Sequence, residues 1–238
     1  MTRRRWIADE ISGDRAALLG EHANHLVRVL RARLGQDFDI ATGRAVRRGK
    51  ITFIQDDRVE FELGEEVGAA GLAEITLLLA VFKFDRMEWA IEKCTELGVS
   101  KIAPVIARRT DAHLASAAAK RVERWQRIAR EAAEQSRRAT TPEIAAPTKI
   151  AKSLHLSGAR RIVLAESERQ TLSNVVNSLS SNASIAMAVG PEGGWTDDEL
   201  KLFDEAGWIS ASLGNTILRA ETAAIAATAI VASALYSL

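Results

Sequence analysis

The chain has 238 residues, 47% hydrophobic and 26% charged, which is typical of a globular protein with room for one large domain or for a small and a medium one. Its single cysteine, Cys94, excludes an internal disulfide framework and favours a reducing compartment. The net charge of +1 conceals two basic regions: residues 1–58 contain 12 Lys and Arg against 8 Asp and Glu, and residues 101–138 contain 10 against 4. We interpret the two regions as surfaces that face phosphate, although solvated helix faces would show the same excess of Lys and Arg.

Neither end of the sequence predicts a membrane segment. The arginines near the N-terminus are not followed by an apolar stretch, so this region does not look like a secretory signal. The apolar segment Ala223–Leu238 is interrupted by Thr228 and is shorter than the roughly 20 residues that span a bilayer. We therefore predict a buried helix there and no membrane partner.

The first seventy residues are rich in short runs of β-forming residues. The runs Asp37–Ile40, Lys50–Ile54 and Arg58–Leu63 predict strands. Turns are predicted between and beside them, at Thr42-Gly43, Arg48-Gly49 and Asp56-Asp57. This pattern predicts a small β-barrel-like domain.

One helix is predicted within this region, over Glu21–Arg33, with Leu26, Val29, Leu30 and Leu34 on its apolar face. The glycines of Gly64–Gly71 then indicate a linker. We place a domain boundary here, between residues 1–70 and residues 71–238.

After Leu72 the pattern changes to alternating strands and helices. Gly98 is expected to end the first of these helices at the C′ position. Five βα units in succession predict an α/β domain with a mostly parallel sheet. The predicted strands are Ile75–Phe82, Lys101–Ala107, Arg161–Ala165, Ile185–Val189 and Ile209–Leu213, and the predicted helices are Asp85–Leu97, 118–138, 170–180, 196–207 and one from about residue 221.

The most distinctive motif is Gly190-Pro-Glu-Gly-Gly-Trp195, which directly follows a predicted buried strand. Thr196 and Glu199 form a capping box for the next helix. Glycines let the backbone approach a ligand closely, and the loop lies where open α/β sheets bind ligands. A tight turn before a well-capped helix would give the same local pattern.

Two further strand ends carry unusual loops. The strand that ends at Leu213 continues into Gly214-Asn-Thr-Ile-Leu-Arg219, whose Ile217 and Leu218 suit the cover of a flat ring. Another strand ends at Leu164-Ala165-Glu166. Three such loops at one edge of a sheet favour a pocket over three coincidental turns.

The segment Arg121–Arg138 predicts a basic helix. Arg124, Arg127 and Arg137 or Arg138 lie near one side, while Trp125 and Ile128 are expected to pack on the sheet. Arginine can hold phosphates and stack on bases. An amphipathic helix with intrahelical pairs such as Glu123–Arg127 is the alternative.

Several function classes lack their motifs. The sequence contains no P-loop, no dinucleotide-binding glycine pattern and no Gly-x-Ser-x-Gly elbow. Its four histidines are scattered without ligands at metal spacing, so no metal is predicted.

Together, seven motifs closely resemble the RsmE-type 16S rRNA uridine-N3 methyltransferases and cover nearly the whole chain. They are His25-Leu-x-Arg28-Val-Leu-Arg31, Glu96-Leu-Gly-Val99, Arg124-Trp125, Glu134-Gln135-Ser136-x-Arg138, Pro142-Glu143-Ile144, Gly190-Pro-Glu-Gly-Gly194 and Leu213-Gly214-x-x-Ile217-Leu218-Arg219-x-Glu221-Thr222. The family usually has glycine where Arg137 stands, which leaves open whether Arg137 or Arg138 faces the active site.

This resemblance implies a PUA-like N-terminal domain and a C-terminal SPOUT methyltransferase domain with a trefoil knot. It also implies a cytoplasmic homodimer, with its active site completed near the dimer interface, that binds S-adenosylmethionine and acts on 16S rRNA of the small ribosomal subunit. The residues expected to contact the cofactor are Leu164, Ala165, Glu166, Gly190, Pro191, Glu192, Gly193, Gly194, Leu213, Gly214, Ile217, Leu218 and Arg219.

The same resemblance suggests the residues on the substrate side. We expect Arg138 to stabilise negative charge on uridine N3 or to grip a phosphate, Gln135 to orient the base and Glu134 to be a weaker candidate for proton acceptor. The residues expected to contact RNA are Arg3, Arg4, Arg5, Arg28, Arg31 and Arg124. Two alternatives remain: a SPOUT enzyme for another RNA or for a ribose 2′-oxygen, and a non-catalytic RNA-binding assembly factor.

Overall fold

A computed structural model describes residues 5–43, 45–55, 57–69, 74–155, 160–177 and 184–236. The chain divides into two compact units. The first comprises Met1–Gly71 together with Ala133–Thr141, and the second comprises Leu72–Ala132 and Pro142–Leu238. No feature of the sequence indicates that Ala133–Thr141 belongs with the N-terminal region.

The first unit contains a six-stranded sheet in the order β1-β4-β5-β6-β3-β2. Only β1 and β4 pair in parallel; the other neighbours are antiparallel. Side chains from the sheet and from the helix above it, such as Trp6, Leu18, Leu26 and Phe61, form a buried apolar core. The strands are β1 (Arg5–Ile7), β2 (Glu10–Ser12), β3 (Arg15–Leu19), β4 (Asp37–Ala41), β5 (Ala45–Gln55) and β6 (Arg58–Ala69).

Two sequence predictions for this sheet are wrong. The turn predicted at Arg48-Gly49 is part of β5, where a bulge shifts the register against β6. A Cβ atom on Gly49 would lie 2.4 Å from Cγ1 of Ile40, so this glycine allows two strands to pack closely and does not make a turn. The predicted linker is also wrong over residues 64–69, because β6 extends to Ala69 by pairing with β5.

The predicted helix of the first unit is shorter and irregular. Helix α1 (Gly20–Asn24) continues as a π-helix over His25–Val29, and Arg31 then adopts a left-handed φ of 52°. A π turn holds an extra residue, so the side chains after it rotate away from the expected face. Val29 is 63% exposed, and Leu34, which lies beyond the end of the helix, is 65% exposed, although the pattern placed both on the apolar face.

The second unit contains a parallel sheet in the order β10-β8-β7-β12-β11-β13, with β9 also pairing with β8. Every pairing is parallel, which confirms the predicted architecture. The central strands are buried on both faces, as their continuous apolar sequences require. The strands are β7 (Ile75–Ala80), β8 (Lys101–Ile106), β9 (Glu143–Ile144), β10 (Thr148–Lys149), β11 (Arg160–Leu164), β12 (Ile185–Val189) and β13 (Ile209–Ala211).

The predicted helices of this unit form in the predicted order, and a further helix over Ala112–Ala117 was not predicted. As expected, Gly98 follows α2, and it has a φ of 104°. The basic helix begins later than predicted, because Ala118–Arg121 forms a 3₁₀ turn, and its last three residues belong to the first unit. In the described residues no helix is long and apolar enough to cross a membrane. The helices are α2 (Phe84–Glu96), α3 (Ala112–Ala117), α4 (Val122–Gln135), α5 (Leu172–Val176), α6 (Asp197–Glu205) and α7 (Ala220–Tyr236).

Candidate active site

A cavity of about 660 Å³ lies in the second unit, at the carboxyl ends of β11, β12 and β13. Most of its wall is formed by the three loops that follow these strands, as expected for a ligand site in a parallel sheet. Its volume is within the range of small-molecule pockets. Twelve of the thirteen predicted cofactor residues line it, namely Leu164, Ala165, Glu166, Gly190, Pro191, Glu192, Gly193, Gly194, Leu213, Gly214, Ile217 and Leu218.

The loop after β12 is a tight turn with a buried aromatic anchor. The Gly194 N–H donates to the Pro191 carbonyl at 2.8 Å, and Gly194 has a φ of 69°. The Trp195 ring is buried edge-on against Phe203, with 5.1 Å between ring centroids. A Cβ on Gly190 would lie 3.3 Å from Cε2 of Trp195, so this position favours glycine.

The predicted capping box after this loop is confirmed. The Thr196 hydroxyl accepts from the Glu199 N–H, and the Glu199 carboxylate accepts from the Thr196 N–H at 2.9 Å. The other oxygen of the buried Glu199 carboxylate accepts from the Arg108 N–H at 2.7 Å. Glu199 thus joins the start of α6 to the segment that follows β8.

The loop after β13 brings an exposed apolar side chain to the cavity. Ile217 lines the cavity although its side chain is 79% exposed. Arg219 is exposed and is not among the lining residues, whereas its neighbours Leu218 and Ala220 are. Glu221 is only 3% exposed, and its Oε1 lies 3.8 Å from Nε of Arg86 on α2.

The loop after β11 is tied to the strand beside it. The Ala165 N–H donates to the Ala211 carbonyl at 2.9 Å, and the Leu172 N–H donates to the Ser212 carbonyl at 2.8 Å. The two loops therefore hold each other in place on one side of the cavity.

Charge is unevenly distributed around the cavity. The lining includes four carboxylates and two guanidinium groups, so its net charge is negative. A ligand with positive charge is favoured in such a site. These groups are Glu166, Glu168, Glu192, Asp197, Arg109 and Arg169.

The predicted substrate-side residues lie at the end of α4 and just beyond it, among residues of the first unit. The helix ends in a Schellman motif: Arg137 has a φ of 58°, and the Arg138 N–H donates to the Ala133 carbonyl at 2.8 Å. Arg137 is exposed, whereas Arg138 is only 6% exposed. The left-handed φ gives a physical reason for glycine at the position of Arg137.

The two other substrate-side residues have different surroundings. Gln135 is exposed. Oε1 of Glu134 lies 3.5 Å from Nε2 of His22, whose Nδ1 is 3.6 Å from Oδ2 of Asp9. Arg5 donates a hydrogen bond to the Arg137 carbonyl. The contacts of His22 and Arg5 hold this segment within the first unit.

The predicted RNA-contacting arginines differ in their environment. Arg28 and Arg31 are exposed, and Arg5 is half-buried. Arg124 forms two hydrogen bonds with the Glu88 carboxylate, at 2.7 and 2.8 Å, which raise the pKa of Arg124 above its ordinary value. Arg3 and Arg4 lie outside the described residues.

Comparisons with known proteins connect this geometry to a family. The RNA methyltransferase domain family matches residues 70–232. The ribosomal RNA small subunit methyltransferase E of Synechocystis is 35% identical over 206 residues, which are 84% of this chain and 67% of the relative. The chain belongs to the ribosomal RNA small subunit methyltransferase E family. The resemblance noted from the sequence is confirmed.

Solved structures of relatives agree with this membership in the methyltransferase E family. The Neisseria gonorrhoeae methyltransferase E, crystallised with S-adenosyl methionine, has a TM-score of 0.81 and 31% identity, with 96% of each chain covered. A Legionella pneumophila protein described as a putative methyltransferase, in complex with the same cofactor, has a TM-score of 0.83 and 26% identity, with 98% of each chain covered.

Metal and thiol chemistry have no candidate site among the residues that the structure describes. These residues contain no cluster of three or more metal-ligating side chains. Burial raises the pKa of the Cys94 thiol to about 12, so it is not a thiolate nucleophile at neutral pH.

Sequence reasoning missed part of the cavity wall. Arg109 comes from the segment after β8, far from the glycine motifs in sequence. The signal available for it was its place just after a parallel strand, at the edge where the other loops lie. The remaining missed residues include Ser167, Glu168, Arg169, Thr171 and Asp197.

Proposed function

We propose that this protein transfers a methyl group from S-adenosylmethionine to N3 of a uridine in the 16S rRNA of the small ribosomal subunit. The observation that carries this proposal is the cavity built from three strand-end loops, in a chain 31% identical to a methyltransferase E crystallised with S-adenosyl methionine. Two of the motifs quoted for the family resemblance, Gly190–Gly194 and the one that begins at Leu213, contribute residues to the cavity wall.

The cavity suits this cofactor in size, shape and charge. Its volume of about 660 Å³ accommodates an adenosyl group with an amino-acid tail. Ile217 and Leu218 offer apolar cover to a purine ring, while Glu166 and Glu192 provide negative charge near a cationic ligand. We propose that Gly190, Gly193 and Gly194 let the backbone approach the cofactor, and that Arg219 supports the neighbouring loop.

When bound, S-adenosylmethionine supplies an electrophilic methyl group on a positively charged sulfur. Uridine N3 must lose its proton before it can attack, so the base needs a group that stabilises negative charge. We assign that role to Arg138, a guanidinium held in a buried position. Gln135 is exposed at the helix end and is assigned to orient the base. Glu134 is kept as a weaker candidate for proton acceptor, because its carboxylate lies near His22.

The RNA-contacting residues are proposed on charge and exposure. Arg28 and Arg31 are exposed on and just after the π-helix, where phosphates can reach them from solvent. Arg5 already bonds the Arg137 carbonyl, and Arg124 already bonds the Glu88 carboxylate. Each would contact RNA while keeping its bond within the protein. Arg3 and Arg4 complete the proposed set.

Four further features follow from family membership and are proposals here. They are a PUA-like N-terminal domain ending near residue 70, a trefoil knot in the domain from residue 71, a homodimer that completes the active site, and a cytoplasmic location where ribosomal RNA is found. The six-stranded sheet of the first unit supports the first proposal. The second rests on membership in the methyltransferase E family.

The test is methylation of small subunits from a strain lacking the gene. We expect purified protein and S-adenosylmethionine to restore N3-methyluridine in 16S rRNA, as measured by nucleoside mass spectrometry. A different methylated nucleoside, or methylation of another RNA, would favour the alternative SPOUT enzyme. If calorimetry shows that the protein binds small subunits but not the cofactor, it is a non-catalytic factor.

A further inference from the structure

The segment that follows β8 is fixed at several points beside the cavity. The Ala107 N–H donates to the Thr110 hydroxyl at 3.2 Å, and that hydroxyl donates to the Val81 carbonyl at 3.1 Å. The Arg108 N–H donates to the Glu199 carboxylate at 2.7 Å. The backbone on both sides of Arg109 is therefore anchored to the second unit, which fixes the point from which its side chain extends.

The Arg109 side chain reaches the glycine loop. Its Nη1 donates to the Gly193 carbonyl at 2.5 Å and lies 3.2 Å from the Trp195 carbonyl. Its aliphatic stem packs on Gly193, where an added Cβ would lie 3.2 Å from Cδ of Arg109. One charged group thus bonds two carbonyls of a loop that contains three glycines, and Arg109 also lines the cavity.

These hydrogen bonds restrict the conformations of a glycine-rich loop. Glycine has more conformational freedom than any other residue, so an unbraced loop samples many shapes and loses more entropy when a ligand binds. Hydrogen bonds from a charged donor are stronger than neutral ones. Both bonds come from one nitrogen, Nη1, whose two N–H bonds lie in the plane of the guanidinium and so keep a fixed direction, whereas a lysine ammonium is a freely rotating point charge.

We propose that Arg109 is a positioning residue that holds the Gly190–Trp195 loop in the conformation that receives S-adenosylmethionine, an inference that rests on the proposed function. It binds the loop and not the transferred group. Its loss therefore weakens cofactor binding more than it slows the reaction at saturating cofactor.

The experiment compares Arg109→Ala, Arg109→Lys and the matched control Arg108→Ala in the full chain. Arg108 is the exposed neighbour that contacts Glu199 through its backbone N–H, which the substitution retains. For Arg109→Ala we expect the Kd for S-adenosylmethionine, measured by calorimetry, to rise about tenfold, since one charged hydrogen-bond donor is lost from a partly exposed site. We expect a smaller rise for Arg109→Lys and none for Arg108→Ala.

Three further measurements identify the cause. At saturating cofactor, the kcat of Arg109→Ala should stay near that of the wild type. Its Tm should fall by no more than about 3 °C, because the contact is near the surface. In the ligand-free protein, amide hydrogen exchange at Gly193–Trp195 should accelerate several-fold in Arg109→Ala and remain unchanged in Arg108→Ala.

Several results would overturn the proposal. They are a wild-type Kd for Arg109→Ala, an equal rise in Kd for Arg108→Ala, a lower kcat at saturation with an unchanged Kd, or unchanged loop exchange. If the wild-type protein itself fails to bind S-adenosylmethionine, the proposed function is wrong. Loop exchange in the ligand-free variants then still decides whether Arg109 holds the loop.

Discussion

The cavity loops and the segment Ala133–Thr141 carry the two halves of the proposed chemistry, and they are held in different ways. The loops follow parallel strands of one sheet, and their shape depends on glycines, backbone hydrogen bonds and the buried Trp195 ring. The segment follows a helix, turns through a left-handed residue and is held by side chains of the first unit, namely Arg5 and His22.

This difference separates the effects that substitutions should have. In the cavity loops, a change of backbone shape should alter cofactor affinity, because the backbone forms much of the wall. In Ala133–Thr141, a change of side chain should alter the reaction with RNA and leave cofactor affinity intact. Cofactor Kd and kcat therefore report on the two regions separately.

The largest effect is expected for Arg138. Arg138→Ala should lower kcat by about 10²-fold or more, the usual cost of removing one group that stabilises charge in a transition state. The Kd for S-adenosylmethionine should not change. Methylation of small subunits at saturating cofactor measures the first quantity and calorimetry the second, with Arg137→Ala as the exposed neighbouring control. Wild-type kcat in Arg138→Ala would remove this residue from the mechanism.

A smaller effect is expected for Gly194. Its φ of 69° is strained for any other residue by about 1–2 kcal/mol, so alanine there should let the free loop relax to a shape that does not bind the cofactor, and Gly194→Ala should raise the Kd for S-adenosylmethionine by about tenfold. Gly64→Ala is a suitable control, since that glycine has ordinary contacts and no positive φ. Equal cofactor affinity in wild type and Gly194→Ala would show that the loop tolerates another backbone shape.

The smallest effect is expected for Arg137 and concerns stability. Arg137→Gly relieves the left-handed strain at the end of α4, and it should raise the free energy of unfolding by about 0.5–1 kcal/mol after the entropy cost of glycine. Denaturant titration measures this change, and kcat should stay at the wild-type value. Loss of stability would mean that the Arg137 side chain contributes more than its backbone strain costs.

The sequence predicted the second unit better than the first. Where strands and helices alternate along the chain, a continuous apolar run such as Ile185–Val189 predicts a parallel strand that is covered on both faces. In the first unit, tertiary pairing overrode local preference. Strand β6 runs through glycines of the expected linker, and Gly49 lies inside β5, where it lets β4 and β5 pack closely. The π-helix was not predictable from a pattern that assumes 3.6 residues per turn.

For the site, continuous motifs were informative and distant contributions were not. The glycine loop and its capping box were found because their residues are neighbours in sequence. Arg109 was missed because its role depends on carbonyls of a loop some eighty residues later, a contact that only the fold creates. Similarly, the place of Glu134 near His22 depends on how the first unit is completed.

The first unit is built from two separate stretches of chain, and this determines when it can fold during translation. Because Ala133–Thr141 belongs to this unit, a ribosome must translate all of Leu72–Ala132 before the unit can be completed. Strand β7 can pair early with β8, which begins at Lys101, but its other partner, β12, begins only at Ile185. The edge of β7 that pairs with β12 therefore lacks its partner for much of translation, a period in which a nascent chain depends on chaperones and slow non-local folding.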